Sequence, residues 1–130
     1  VAWYIDTSAF LKLLVAEAET PAMRSWFVTE GPHWSSQLLK TEAMRAAARL
    51  GIPDSALETA LGTVTLVSPS VATFLSAGRL APSSMRTLDA LHLAGALELV
   101  PDVRGIVTYD AQLAQGAQQV GLAVVAPGRQ

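Results

Sequence analysis

Four of the chain's eleven acidic residues stand where a carboxylate is hard to treat as surface decoration. Asp6 follows the apolar run Val1–Ile5 and leads into Thr7-Ser8. Asp110 follows Ile106-Val107-Thr108 across Tyr109. Asp89 opens a segment, Leu88 to Val100, that is apolar nearly all round. Glu42 falls inside an apolar stripe of Leu38, Leu39, Ala43, Ala46 and Leu50 when residues 38–50 are wound at about 100° per residue. Each has a plain structural explanation. Asp6 and Asp110 suit helix N-caps. Asp89 suits the positive end of a helix dipole, worth about 0.3–1 kcal/mol. Glu42 has Arg45 and Arg49 within helical reach as ion-pair partners.

Taken together the four point elsewhere. Asp6 and Asp110 sit at carboxyl ends of expected strands, with Asp89 and Glu42 near helix starts on the same side. Two carboxylates about 4 Å apart repel by about 4 kcal/mol at an effective dielectric of 20. A cluster of four therefore needs protons or a cation. With oxygen donors and no cysteine, the matching cation is Mg²⁺ or Mn²⁺. Such an ion, held by carboxylates and water, ordinarily meets a phosphate. His92 lies three residues beyond Asp89 and is placed to be a ligand, a proton carrier or a hydrogen-bonded packing residue.

The elements that must position these groups alternate. Apolar and β-branched runs predict strands at 1–5, 33–35, 64–67, 106–108 and 122–125. Helical spacing and start or stop signals predict helices at 8–16, 21–30, 37–50, 53–61, from Ser68-Pro69 through Leu75, 87–100 and 110–120. Thr20 is expected to cap the second helix with Pro21 at its first position. This order predicts one α/β domain over residues 1–130, an α/β/α sandwich on a mainly parallel sheet. Ligands in such folds lie beyond the carboxyl ends of the strands, the side where Asp6 and Asp110 fall.

Composition narrows the class. Nine basic against eleven acidic residues give a net charge of −2, which argues against a broad basic surface for nucleic acid. Setting the four acids aside leaves a balance of +2 (nine basic, seven acidic), and one divalent cation would neutralise the whole chain. Hydrophobic residues make up 51%, enough for a core and too many for a disordered tail. The longest uncharged run, Thr59–Gly78, is broken by Gly62 and Pro69 and does not read as a membrane span. With no signal-peptide pattern at the start, the expected location is cytoplasmic. The apolar surplus predicts a partner surface, with Met23, Trp26 and Phe27 as candidate carriers, core packing being the simpler account of the three.

Four short segments resemble the motifs of PIN domains. These are Tyr4-Ile5-Asp6-Thr7-Ser8-Ala9, Leu39-Lys40-Thr41-Glu42, Arg86-Thr87-Leu88-Asp89-Ala90-Leu91-His92-Leu93-Ala94 and Val107-Thr108-Tyr109-Asp110. The third is the most specific, and the resemblance spans the chain. Its spacing is similar to the small VapC-type toxins of type II toxin–antitoxin pairs. The resemblance implies a five-stranded parallel sheet and an Mg²⁺- or Mn²⁺-dependent endoribonuclease acting on a transfer-RNA or ribosomal-RNA loop. It further implies a homodimer and a VapB-like antitoxin that covers the cleft. Asp6 and Asp89 are then expected as direct metal ligands. Glu42 and Asp110 are expected to bind directly or through water, one of them positioning the attacking water. Ser8 and Thr108 match positions that line the site. Relatives carry basic residues after the fourth acid where this chain has Ala111-Gln112. Lys12, Lys40, Arg45, Arg49 and Arg86 are the remaining candidates for phosphate.

Two other classes stay in view. A phosphoryl-transfer pocket would want a second Asp two residues after the first, where Ser8 stands; a receiver domain would want a late Lys, and the only lysines are Lys12 and Lys40. A catalytically inactive interaction domain would tolerate losing acids, and all four are present.

Overall fold

Alternation along the first strand sets the layers. In the computed structural model, which describes residues 1–129, β1 (Ala2–Ile5) sends Ala2 and Tyr4 into one core cluster and Trp3 and Ile5 into another. A strand buried on both faces belongs at the centre of a sheet. β1 is central, in the order β3 (Thr65–Val67), β2 (His33–Ser36), β1, β4 (Val103–Val107), β5 (Ala123–Val125). Every neighbouring pair is parallel, with Tyr4 opposite Ile106 and Ile5 opposite Val107.

The parallel crossovers are helical. α1 (Thr7–Leu11), α2 (Thr20–Thr29), α3 (Gln37–Leu50) and α4 (Asp54–Leu61) cover the face of Trp3 and Ile5, through Phe10, Met23, Leu39, Ala43 and Leu57. α5 (Val71–Gly78), α6 (Thr87–Glu98) and α7 (Ala111–Gln119) cover the other, through Ala77, Leu91, Leu93 and Leu113. This is the expected α/β/α sandwich, with five strands and seven helices among the described residues. None of these helices is long and apolar enough to cross a membrane.

Several expectations shift. The helix expected over 8–16 stops at Leu11 and continues as turns, Leu13 N–H bonding to Phe10 and Leu14 N–H to Leu11. Thr20 is part of the reason: its hydroxyl donates to the Val15 carbonyl and accepts from Glu17 N–H. So occupied, Thr20 does not cap α2; Glu19 stands at the cap without a side-chain bond. α5 starts after Ser70, not Ser68, because Ser70 and Thr73 form a reciprocal capping box. Arg86, not Thr87, holds the cap position of α6. β4 begins three residues earlier than expected, through Arg104-Gly105. Gly105 is required there: a Cβ would come within 2.6 Å of the Trp3 ring and the Ala123 carbonyl.

The expected apolar carriers are also corrected. Met23 is fully buried, and Trp26 and Phe27 pack inward, Trp26 against Trp3 at 5.4 Å and Phe27 on His33 at 3.9 Å between ring centroids. Trp26 and Phe27 are half-buried, each packed on another ring at the margin of the core. The exposed apolar face lies on α5, at Val71, Phe74 and Leu75.

Candidate functional site

The strand order reverses its sense between β1 and β4, and the crevice beyond their carboxyl ends is where such sheets take ligands. Asp6 leaves β1 and Thr108-Tyr109-Asp110 leave β4 at that point. A cleft of about 380 Å³ opens there, and Asp6, Glu42, Asp89 and Asp110 all line it, with Thr7, Ser8, Arg86 and His92. A larger hollow of about 650 Å³, between α5 and the start of α6, shares only Thr87 with it.

Asp6 lies deepest and is 3% exposed. Ala9 N–H donates to its Oδ1, the Thr108 hydroxyl to its Oδ2, and the Ser8 hydroxyl reaches both oxygens at 2.8 and 2.9 Å. It therefore caps α1 and faces the cleft at once, so the two readings of Asp6 are compatible. Burial pushes its carboxyl up to about 6, against the bonds from Thr108, Ala9 and Ser8 that favour the anion. Ser8 and Thr108 also tie the two strand ends together. The Ser8 hydroxyl accepts from Tyr109 N–H, and that of Thr108 from Asp110 N–H.

Glu42 ignores Arg45 and Arg49. Its Oε1 accepts from the Thr7 hydroxyl and from His92 Nε2, each at 2.7 Å. Burial raises its carboxyl, but the His92 and Thr7 contacts win and hold it below its ordinary value. His92 is buried, and its Nδ1 lies 2.8 Å from the Tyr4 hydroxyl. A Tyr4 O–H donating to Nδ1 fixes the tautomer in which Nε2–H faces Glu42. Tyr4 and Thr7 are the site residues that sequence reasoning missed. The available signal was the alternation of β1, which puts Tyr4 under α6, and the adjacency of Thr7 to Asp6.

Asp89 and Asp110 share one partner. Arg86 Nε donates to Asp89 at 3.2 Å and Arg86 Nη2 to Asp110 at 2.6 Å. Burial, then the charge of Asp110, pushes Asp89 up, and Arg86 opposes both. Asp110 Oδ1 caps α7 by accepting from Leu113 N–H, as expected. The other basic candidates stay outside. Lys40, Arg45 and Arg49 are exposed on α3 and do not line the cleft. Lys12 is corrected as a phosphate contact: it is 7% exposed and is held by Glu17 and Glu19.

The donor set is chemically matched to a hard dication, since it is all oxygen and its deepest member, Asp6, has no ion-pair partner among the described residues. No three His, Asp or Glu side chains among the described residues form a ready cage. The acids line one cleft while two of them are drawn onto Arg86.

No protein-family model matches the chain. Ribonuclease VapC46 of Mycobacterium tuberculosis is 40% identical over 127 residues, 95% of this chain and 96% of that protein. Ribonuclease VapC47 of the same species is 34% identical over 134 residues, 96% of each. Among solved structures, a toxin–antitoxin complex from Klebsiella pneumoniae matches with a TM-score of 0.78 at 17% identity, over 99% of this chain and all of that one. M. tuberculosis VapC20, described as a sarcin–ricin loop cleaving toxin, matches with a TM-score of 0.74 at 16% identity, over 97% of this chain and all of that one. The structures share the backbone; the two ribonucleases, at this identity over nearly their full length, carry the kinship, and the chain belongs to the VapC ribonucleases of the PIN-domain fold.

Proposed function

We propose that this chain is an endoribonuclease toxin whose cleft acids hold Mg²⁺ or Mn²⁺ against an RNA phosphodiester. The observation that carries the reading is the convergence of Asp6, Glu42, Asp89 and Asp110 on one cleft at the switch point of the sheet. Asp6 and Asp89 would bind the ion directly; Glu42 and Asp110 would complete its shell or hold its water. When bound, the ion would supply a water of lowered pKa and positive charge to offset the negative charge growing on the phosphate. The residues contribute fixed geometry. Ser8, Thr108 and Ala9 N–H hold both oxygens of Asp6. Thr7 and His92 hold one oxygen of Glu42, leaving the other for the cleft.

RNA as substrate is supported by the names of the ribonuclease relatives, and its presentation as a structured loop by the name of the sarcin–ricin-cleaving neighbour alone. An inhibitory antitoxin is supported by the Klebsiella pneumoniae complex. The site would work in the cytoplasm, within one PIN domain over residues 1–130. A homodimer is supported by the exposed Val71, Phe74 and Leu75 of α5. Phe74→Glu is then expected to shift sedimentation toward monomer; an unchanged distribution removes α5 as the dimer face. The main test is Mn²⁺ titration beside mapping of cut RNA ends, with Asp6→Asn as control. Cleavage that survives Asp6→Asn in a folded protein overturns the site.

A further inference from the structure

Among the described residues that line the cleft, Arg86 is the only Lys or Arg. It precedes the first turn of α6 in extended conformation and makes no side-chain cap bond. Its guanidinium instead reaches across the mouth of the cleft, 2.6 Å from Asp110 and 3.2 Å from Asp89. The acids it spans are largely covered, at 15% and 21% exposed, whereas the Arg86 side chain is 69% exposed. Its described hydrogen bonds are these two alone.

This is an unusual balance. Asp89 and Asp110 repel each other, so something positive must stand between them, and Arg86 does. Yet an ion pair made by so exposed a side chain is held weakly. Arg86 holds Oδ2 of both acids and Leu113 N–H holds Oδ1 of Asp110, so a dication drawing on those Oδ2 atoms competes with the guanidinium, and binding of either weakens the other. A displaced guanidinium would remain tethered at the cleft mouth, with a donor fork that matches phosphate.

We propose that Arg86 is an exchangeable counter-ion: it holds Asp89 and Asp110 in the metal-free protein, yields them to the divalent cation, and then contacts the RNA phosphate. The inference rests on the metal-site reading above. It differs from a fixed phosphate contact in predicting that Arg86 opposes metal binding in the absence of RNA.

The test compares wild type, Arg86→Gln and Arg86→Lys by Mn²⁺ titration read from electron paramagnetic resonance, without RNA. Circular dichroism checks that each variant is folded. Arg86→Gln is expected to bind Mn²⁺ about tenfold more tightly than wild type. Arg86→Lys is expected to fall between, since a single ammonium lacks the planar fork that spans two acids. In steady-state cleavage, Arg86→Gln should raise KM for RNA several-fold while kcat changes less. Equal or weaker Mn²⁺ affinity in Arg86→Gln overturns the exchange. Tighter Mn²⁺ binding with unchanged KM overturns its phosphate half. Failure of wild type and both variants to bind Mn²⁺ overturns the metal-site reading itself, so the two failures are told apart by the wild-type titration.

Discussion

Two ionic clusters in this molecule are built from similar parts and end in opposite states. Beside Tyr109, Lys12 pairs with Glu17 at 3.2 Å and Glu19 at 2.9 Å, and Arg129 pairs with Glu19 at 2.8 Å. Two acids meet two cations, and both cations also lie over the Tyr109 ring, 5.1 and 5.2 Å from its centroid. In the cleft, four carboxylates meet one guanidinium, leaving three net negative charges. The first cluster is complete without any ligand. It fastens the end of the chain to the segment after β4, helped by the Tyr109 hydroxyl on the Pro127 carbonyl. The second keeps a deficit of positive charge and spends rigid hydrogen bonds on aiming its acids. Such a deficit fits the cation binding proposed for the cleft. The clusters are joined, since Tyr109 of the clamp sits between Thr108 and Asp110 of the cleft.

Asp6→Asn separates the two regions most sharply. It is expected to cost at least about a hundredfold in RNA cleavage, more than losing a hydrogen bond to a metal ligand costs. The metal-free protein should melt at the same temperature or higher, because the substitution removes a buried charge that has no cationic partner among the described residues. Cleavage assays and thermal unfolding in chelator check both halves. A large drop in melting temperature would make Asp6 a structural cap first.

The relay behind Glu42 should come next. His92→Ala removes the imidazole donor on Glu42 and leaves only the Thr7 hydroxyl, and a loss of about 10–100-fold in Mn²⁺ affinity or kcat is expected. Tyr4→Phe leaves that donor in place and removes only what fixes its tautomer, so a smaller loss is expected. Titration and kinetics on both variants order them. A Tyr4→Phe loss equal to that of His92→Ala would mean that packing, not hydrogen-bond direction, positions Glu42.

The clusters should also titrate with opposite sign. Burial lifts Asp6 from an ordinary 3.8 to about 6, so the folded chain binds that proton more tightly than the unfolded one. Its contribution to the stability of the metal-free protein should rise as pH falls through about 6 toward 3.8, with a slope of at most about 1.4 kcal/mol per pH unit. Glu19 is the reverse: hydrogen bonds from Lys12 and then Arg129 lower it from 4.5 to about 2. Its stabilisation is present above 4.5 and is lost as pH falls toward 2. Urea unfolding across pH should show Asp6→Asn flattening the first limb and Glu19→Gln the second. The same limb flattened by both would erase the contrast.

What the sequence made legible follows from range. Asp6 and Asp110 were readable because each comes within three residues of a strand end and caps the next helix, a local pattern. Glu42 was readable as an acid in an apolar stripe, but its partner was not. Arg45 and Arg49 are near in sequence, while His92 is fifty positions away and meets it only once α3 and α6, on opposite faces of the sheet, bring their side chains together beyond the strand ends. The early start of β4 was hidden because Gly105 is a poor strand former and the charged Arg104 breaks the apolar run. Gly105 is there for Trp3, a requirement visible only across the pairing of β1 and β4. The apolar residues of α2 read as surplus for a similar reason: Trp26 packs on Trp3 and His33, both outside its own helix.

Arg129→Ala should have the smallest effect and is the finest cut between the regions. Its side chain is 48% exposed, and an ion pair of that kind contributes about 0.2–1 kcal/mol. Lys12 still neutralises Glu19, and Tyr109 keeps its hydroxyl bond to Pro127 and its N–H bond to Ser8. Stability by urea unfolding should therefore fall by no more than about 1 kcal/mol. Cleavage and Mn²⁺ affinity should stay close to wild type, because the residues that aim Asp6 and Asp110 do not touch Arg129. If cleavage instead drops as far as it does in Asp6→Asn while the fold holds, Tyr109 is transmitting the clamp into the cleft. The charge-complete cluster would then belong to the functional site, and charge balance alone would no longer distinguish a fastening from a site.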